Sequence, residues 1–227
     1  MTTTETSLDR LAALDPAFAR MVGATAKHVR AIPELTDREK TFLCVTADVC
    51  QASLGLAFTA HVRAGLAAGV STSDVRELLR FVSYDCGYHA ATAGIERIAE
   101  LERELGLDPE PVVPEPVPAG PSPLPAEVRA RLTELDPQFT AYFDLQSRMR
   151  AGHGPGTLSE RERGLVSLSV DLHYQTLADT FRIHVGRALR GGATPEDVRA
   201  ALRFNAQFGV TRAWHAWEAL NAILAES

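Results

Sequence analysis

The chain has 227 residues, 45% of them hydrophobic, a net charge of −6 and a pI near 5.7. That length allows one large domain or two small ones. The acidic balance excludes the clustered basic face that a nucleic-acid surface needs. No apolar run reaches the roughly 18–20 residues of a membrane span. The opening Met-Thr-Thr-Thr-Glu-Thr-Ser has neither the basic start nor the apolar stretch of a secretory leader. Three cysteines, Cys44, Cys50 and Cys86, make a poor disulfide framework. A reduced, cytoplasmic chain is therefore expected, with no contact to membrane or nucleic acid.

In chain order, helices are predicted over 8–31, 36–51, 53–68, 71–85 and 87–106. Asp15-Pro16 puts a capping carboxylate before a proline at the first helical position. Thr36-x-x-Glu39 is a capping box, and Ser71-x-x-Asp74 is a looser one. Gly69 supplies a stop ahead of Val75, Leu78, Leu79 and Val82, which recur at helical spacing. Next comes a stretch, 108–125, that holds eight of the 13 prolines. It favours extended polyproline geometry and reads as a semi-rigid spacer rather than a peptide ligand.

Helices are then predicted over 126–151, 159–174, 176–190, 194–207 and 209–225. Their start signals are Asp136-Pro137, Ser159-x-x-Glu162 and Thr194-Pro-Glu-Asp197. No alternating β-branched run is long enough for a strand. The chain is expected to be all-α.

The second series repeats the first. Leu11-Ala-Ala-Leu-Asp-Pro-Ala-Phe18 returns as Leu132-Thr-Glu-Leu-Asp-Pro-Gln-Phe139, and Leu35-Thr-Asp-Arg-Glu39 as Leu158-Ser-Glu-Arg-Glu162. Asp48 and Asp171, Phe58 and Phe181, and His61 and His184 follow, at an offset of 121 to 123 residues. A two-copy repeat this long indicates tandem domains, 1–107 and 126–227, rather than a solenoid. A residue kept in both copies is a candidate for a shared role.

The run Leu-Thr/Ser-x-Arg-Glu, a long apolar helix, a histidine, Gly-Val/Ala-Ser/Thr and a Val-x-x-x-Leu helix resembles the carboxymuconolactone decarboxylase family, which includes the AhpD-like hydroperoxidases. The first half carries it in Leu35–Glu39, His61–Ser71, Val75, Leu79 and Gly87. The second carries it in Leu158–Glu162, His184–Thr194, Val198, Leu202 and Gly209. The resemblance covers about 70 residues of each half. It implies an all-helical unit that assembles into trimers or hexamers. A fused pair looks like the family's dimer, so a homo-oligomer is implied, either a trimer mimicking a hexamer or a dimer.

The peroxidase branch of that family carries Cys-x-x-Cys-x-x-x-His. Here the cysteine slots hold Leu54 and Ala57 before His61, and Leu177 and Thr180 before His184. The thiol-peroxidase mechanism thus lacks its nucleophile.

His61 and His184 are the leading candidates for a general acid or base. Asp48 and Asp171 each sit in an otherwise apolar helix, where a carboxylate is costly unless paired. Each could serve as a pocket acid, as a histidine's partner or as a structural tie. Arg38 and Arg161 could bind a substrate carboxylate by a bidentate fork, or pair with a neighbouring helix. Tyr84 and Tyr174 join them as candidate substrate contacts. The halves diverge around these positions, and the second pocket is expected to work, with His173 beside His184. The scattered histidines show no metal-ligand spacing, so no metal or cofactor is expected.

The expected function is a cofactor-free lyase acting on a small carboxylated lactone or cyclic keto acid. An arginine would bind the carboxylate, and His184 or His61 would reprotonate the carbanion left by loss of carbon dioxide. Isomerisation or cyclisation would need the same parts. The alternative is a non-catalytic ligand-binding or assembly protein on the same fold.

Overall fold

The capping signals decide where helices begin. In the computed structural model, which describes residues 7–108, 119–152 and 158–226, there are twelve α-helices and no strand among the described residues. The first half holds α1 (Ser7–Leu14), α2 (Pro16–Arg30), α3 (Asp37–Cys50), α4 (Leu56–Ala67), α5 (Thr72–Cys86) and α6 (Tyr88–Leu105). The second holds α7 (Ala126–Leu135), α8 (Pro137–Gly152), α9 (Glu160–Tyr174), α10 (Asp179–Arg190), α11 (Pro195–Asn205) and α12 (Val210–Ala225). A 3₁₀ turn, Ala206–Phe208, precedes α12.

Two predicted helices need correction. The stretches 8–31 and 126–151 are each broken in two, at Asp15 and Asp136. Asp15 is extended (φ −152°), and its carboxylate accepts from the amides of Ala17 and Phe18 at 2.9 Å. Satisfying those amides starts a new helix, so the motif ends one helix as well as beginning the next. The helices predicted from 53 and 176 begin three residues later, at Leu56 and Asp179. Of the proline-rich 108–125, residues 109–118 lie outside the described residues.

Helices α3 and α9 are buried along most of their length and pack against each other at the centre. The apolar core crosses between the halves in both directions. Val29, Leu35, Leu43 and Cys44 pack into the cluster of Leu165, Phe181, Val198 and Leu220. Leu158, Val166 and Val170 pack into the cluster of Phe42, Phe58, Leu78 and Phe81. Burying a side chain of this kind contributes about 1.5–3 kcal/mol, so each half leans on the other for part of its core.

The close approach of the inner helices rests on small residues with their sizes exchanged. Gly164 on α9 faces Ala188 on α10, and an added Cβ would lie 2.4 Å from the Ala188 Cα. At the matching places, 123 residues earlier, Thr41 on α3 faces Gly65 on α4. The larger residue sits on the inner helix in one half and on the outer helix in the other.

Candidate active site

Asp48 on α3 and Asp171 on α9 are buried in their apolar helices, and each has a histidine partner. Asp48 Oδ2 lies 2.7 Å from His61 Nδ1, and Asp171 Oδ2 lies 2.6 Å from His184 Nδ1. The two pairs have the same sequence separation, 13 residues, and the same atoms in contact. A carboxylate on Nδ1 fixes the ring orientation and leaves Nε2 as the nitrogen that exchanges protons. Asp171 is itself held, because Thr176 Oγ1 donates to its Oδ1 at 2.6 Å.

The surroundings of the two pairs differ in kind. Near His184 the wall comes from α8 and from α5 of the first half. Arg150 is largely buried there, with its Nη2 donating to Asp85 Oδ2 at 2.8 Å and to Ser167 Oγ at 2.6 Å. Its guanidinium stacks 4.3 Å over the Phe81 ring and 4.6 Å over Tyr84. Burial pushes the Asp85 carboxyl up, and the charges of Arg150 and His184 pull it back. Burial also lowers Arg150, against the pull of Asp85. The Nε of Arg150 is buried without a partner among the described residues. The centre therefore holds an imidazole fixed at Nδ1, a largely buried guanidinium and a carboxylate whose ionisation burial opposes.

Near His61 the equivalent wall is apolar. Phe208, from the 3₁₀ turn of the second half, meets the imidazole edge-on at 6.1 Å. Val29 stands where the 121-residue offset between α2 and α8 places Arg150, and it is buried in the core. Cys44 stands in the place of Ser167, buried in the core. Burial works against a charge on His61, but Cys44 and Asp48 outweigh it and push the imidazole up to about 10. Burial raises Asp48, and His61 opposes that rise.

The remaining sequence-predicted residues fall into three places. His173 does not accompany His184. It packs against Phe208 at 5.9 Å, on the side of the first pair, with both ring nitrogens unpartnered. Burial and the nearby Arg212 charge push it down to about 4. Asn205, which also bonds Ser169 and the Ala201 carbonyl, opposes that shift. Tyr84 meets Phe143 edge-on at 5.7 Å and lies under the Arg150 guanidinium. Tyr174 lies by Cys50 and Cys86, and burial raises its phenol.

Arg38 and Arg161 brace the two halves. Arg38 Nε donates to Glu162 Oε1 at 2.7 Å, and Arg161 Nε donates to Glu39 Oε1 at 2.6 Å. Each also pairs with an acidic cap of its own half, Asp74 or Asp197. Glu39 and Glu162 thus close their own capping boxes and anchor the opposite arginine. These guanidinia are occupied at the inter-half seam rather than at either histidine.

Sequence reasoning missed Arg150, Asp85 and Ser167. The available signal was their lack of like residues in the other half, where Val29, Phe208 and Cys44 stand.

Comparison with known proteins adds the following. Residues 139–222 match the carboxymuconolactone decarboxylase family. A solved protein of Burkholderia xenovorans LB400, provisionally described as a gamma-carboxymuconolactone decarboxylase subunit, superposes with a TM-score of 0.59. It is 22% identical, over 99% of this chain and 92% of its own. That likeness shows the all-helical fold. No curated protein matches the chain. No helix among the described residues is long and apolar enough to cross a membrane.

Proposed function

We propose that the chain is a cofactor-free acid/base lyase resembling carboxymuconolactone decarboxylase. It acts on a small carboxylated lactone or cyclic keto acid at the His184–Asp171 centre. The observation that carries this reading is Arg150, a largely buried guanidinium bonded to Asp85 and to Ser167, one helical turn before the Asp171 that orients His184. Binding of a substrate carboxylate would transfer Arg150 from Asp85 to the ligand. Asp85, already raised by burial, takes up a proton as its counter-charge leaves. Loss of carbon dioxide then places electrons on the adjacent carbon, and His184 Nε2 delivers the proton that quenches them. Asp171 keeps the ring in register.

The two-copy reading, with domains at 1–107 and 126–227, belongs to the same proposal and is supported by the matched histidine–aspartate pairs. So does self-association into a dimer or a trimer. Exposed apolar residues recur at matched places on the two outer hairpins: Leu14 and Leu135, Phe18 and Phe139, Met21 and Tyr142. Patches of that kind mark contact surfaces. A cytoplasmic setting is supported by the three free thiols.

The test is carbon dioxide release and solvent-deuterium incorporation with carboxylated muconolactones. His184→Ala should lower turnover about 10²–10⁴-fold, the usual range for a general acid or base. Arg150→Lys should raise KM for carboxylated substrates more than it lowers kcat, because it keeps the charge and loses the fork. No turnover across a panel of such acids, with the protein folded, would refute the lyase reading.

A further inference from the structure

Arg150 does not stand alone against Phe81. That ring is fully buried, and three guanidinia lie around it: Arg150 at 4.3 Å from its centroid, Arg163 at 5.4 Å and Arg187 at 5.6 Å. Arg187 follows His184 by three residues on α10, so the two share a face one turn apart. Two carboxylates are paired with the group, Asp85 on Arg150 and Glu160 on Arg187. Three cations thus meet two carboxylates, and burial opposes the ionisation of Asp85. The fold does not require such a cluster. At the 123-residue offset Phe204, Lys40 and Ala64 take the places of Phe81, Arg163 and Arg187. There Phe204 meets the Phe208 ring, and Lys40 donates to the Arg30 carbonyl.

We propose that Arg187 is a second anion-binding residue of the His184 centre, and that Glu160 is a resident carboxylate which a ligand's carboxylate displaces from it. This rests on the reading of that centre as a site for carboxylated ligands. Exposure falls along the line of groups. The Glu160 side chain keeps 60% of its surface, Arg187 25%, Asp85 15% and Arg150 10%. A ligand arriving from solvent therefore meets Glu160 and Arg187 before Arg150. Arg187 donates to both Glu160 oxygens, from Nε at 3.0 Å and from Nη2 at 3.3 Å. A ligand carboxylate would make the same two-point pairing in its place. An ion pair so exposed contributes little to stability, so the exchange is easy. The Arg150 Nε, buried without a partner among the described residues, points independently to a ligand acceptor. A carboxylate that passes Arg187 supplies one.

Glu160 then sets which ligands are favoured. An uncharged ligand gains nothing from Arg187 and leaves the Glu160 pair in place. An anion takes over the pairing, and Glu160 turns to water at small cost. Glu160 is the first residue of α9, where the helix N-terminus favours a carboxylate whether or not Arg187 holds it. Arg163, which donates to the Leu158 carbonyl and lies 3.9 Å from Glu160, remains a nearby cation after the exchange.

The experiment is calorimetric titration of the full chain with 2-furoate, an unreactive ring carboxylate, and with neutral 2-furamide. Glu160→Gln should tighten furoate about 2–5-fold, the range an exposed ion pair gives, and leave furamide unchanged. Arg187→Gln should weaken furoate about tenfold or more, and the gain from Glu160→Gln should vanish in that background. Arg187→Lys, which keeps the charge and loses the fork, should fall between wild type and Arg187→Gln. Helicity and thermal unfolding of each variant report on the fold. A folded Glu160→Gln protein that binds furoate no better than wild type would overturn the proposal. So would an equal gain for furamide, a gain that survives Arg187→Gln, or no furoate binding by wild type and Glu160→Gln alike. Carbon dioxide release is a separate readout. The expected furoate results without turnover of any carboxylated lactone would refute the lyase reading and leave this anion site standing.

Discussion

The His184 and His61 centres share a hydrogen bond and differ in almost everything around it. One is walled by Arg150, Asp85 and Tyr84, the other by Val29, Phe208 and Cys44. In each case a wall residue comes from the opposite half: Asp85 ahead of Gly87, and Phe208 ahead of Gly209. Both glycines have positive φ and begin a new helix. Folding requires the buried aspartate to have a partner, and it repeats that pair in both halves. The wall is under no such requirement and has diverged. The difference teaches that the dyad marks where chemistry is placed, while the wall decides which chemistry.

The largest effect should come from breaking the charged wall. Arg150→Met leaves the largely buried Asp85 without its counter-charge, at a cost of up to about 3–5 kcal/mol, reduced to the extent that Asp85 takes up a proton. Urea unfolding would show it. The matching Val29→Ala removes only apolar contact, at about 1–2 kcal/mol. Equal losses at the two positions would mean the walls are energetically alike and would undo the comparison.

The exchanged sizes at the helix crossings come next. Gly164→Ala drives a methyl group into the Ala188 backbone, and Gly65→Ala drives one into the Thr41 side chain. Overpacking of this kind costs about 1–3 kcal/mol. A flexible side chain yields more easily than backbone, so the Gly164 variant should be the worse. Thr41→Gly should recover part of the Gly65→Ala loss, although glycine within a helix carries a cost of its own. A double-mutant cycle with no coupling between 41 and 65 would contradict the packing.

The two sides also answer pH in opposite senses. His173 is held near 4, below its ordinary 6.5, so it favours the fold above pH 6.5. That contribution is lost as pH falls through 4, and His173→Leu should flatten the acid limb of a stability–pH profile. His61 is raised to about 10, so its contribution is complete below pH 6.5 and disappears as pH rises through 10. His61→Gln should flatten the alkaline limb. Unchanged profiles in both variants would show that neither ring is perturbed as its surroundings require.

The smallest effect is local. Ser159→Ala removes one side of a capping box, at about 1 kcal/mol. Both boxes anchor an arginine, but Glu162 is more deeply buried than Asp197, so this loss should exceed that of Thr194→Ala, whose box closes on Asp197. Chemical denaturation of the two variants would rank them.

The sequence by itself determined the helices, their starts and the two matched series. Capping boxes, Asp-Pro steps and apolar periodicity act within one or two turns, so they are legible in a single line of residues. It also marked Asp48 and Asp171 as carboxylates in need of partners, since their apolar neighbours lie in the same helix. It could not separate a helix start from a helix break at Asp15 and Asp136, because one carboxylate cap produces both. Nor could it place His173, which follows Asp171 in the chain yet turns toward Phe208 and the first pair. The tertiary structure alone brought Arg150 to Asp85, 65 residues away. It also sent Arg38 and Arg161 across the seam to Glu162 and Glu39. Such contacts are made by packing one half against the other, and no local pattern encodes them. The wall that distinguishes one histidine from the other is built from those contacts.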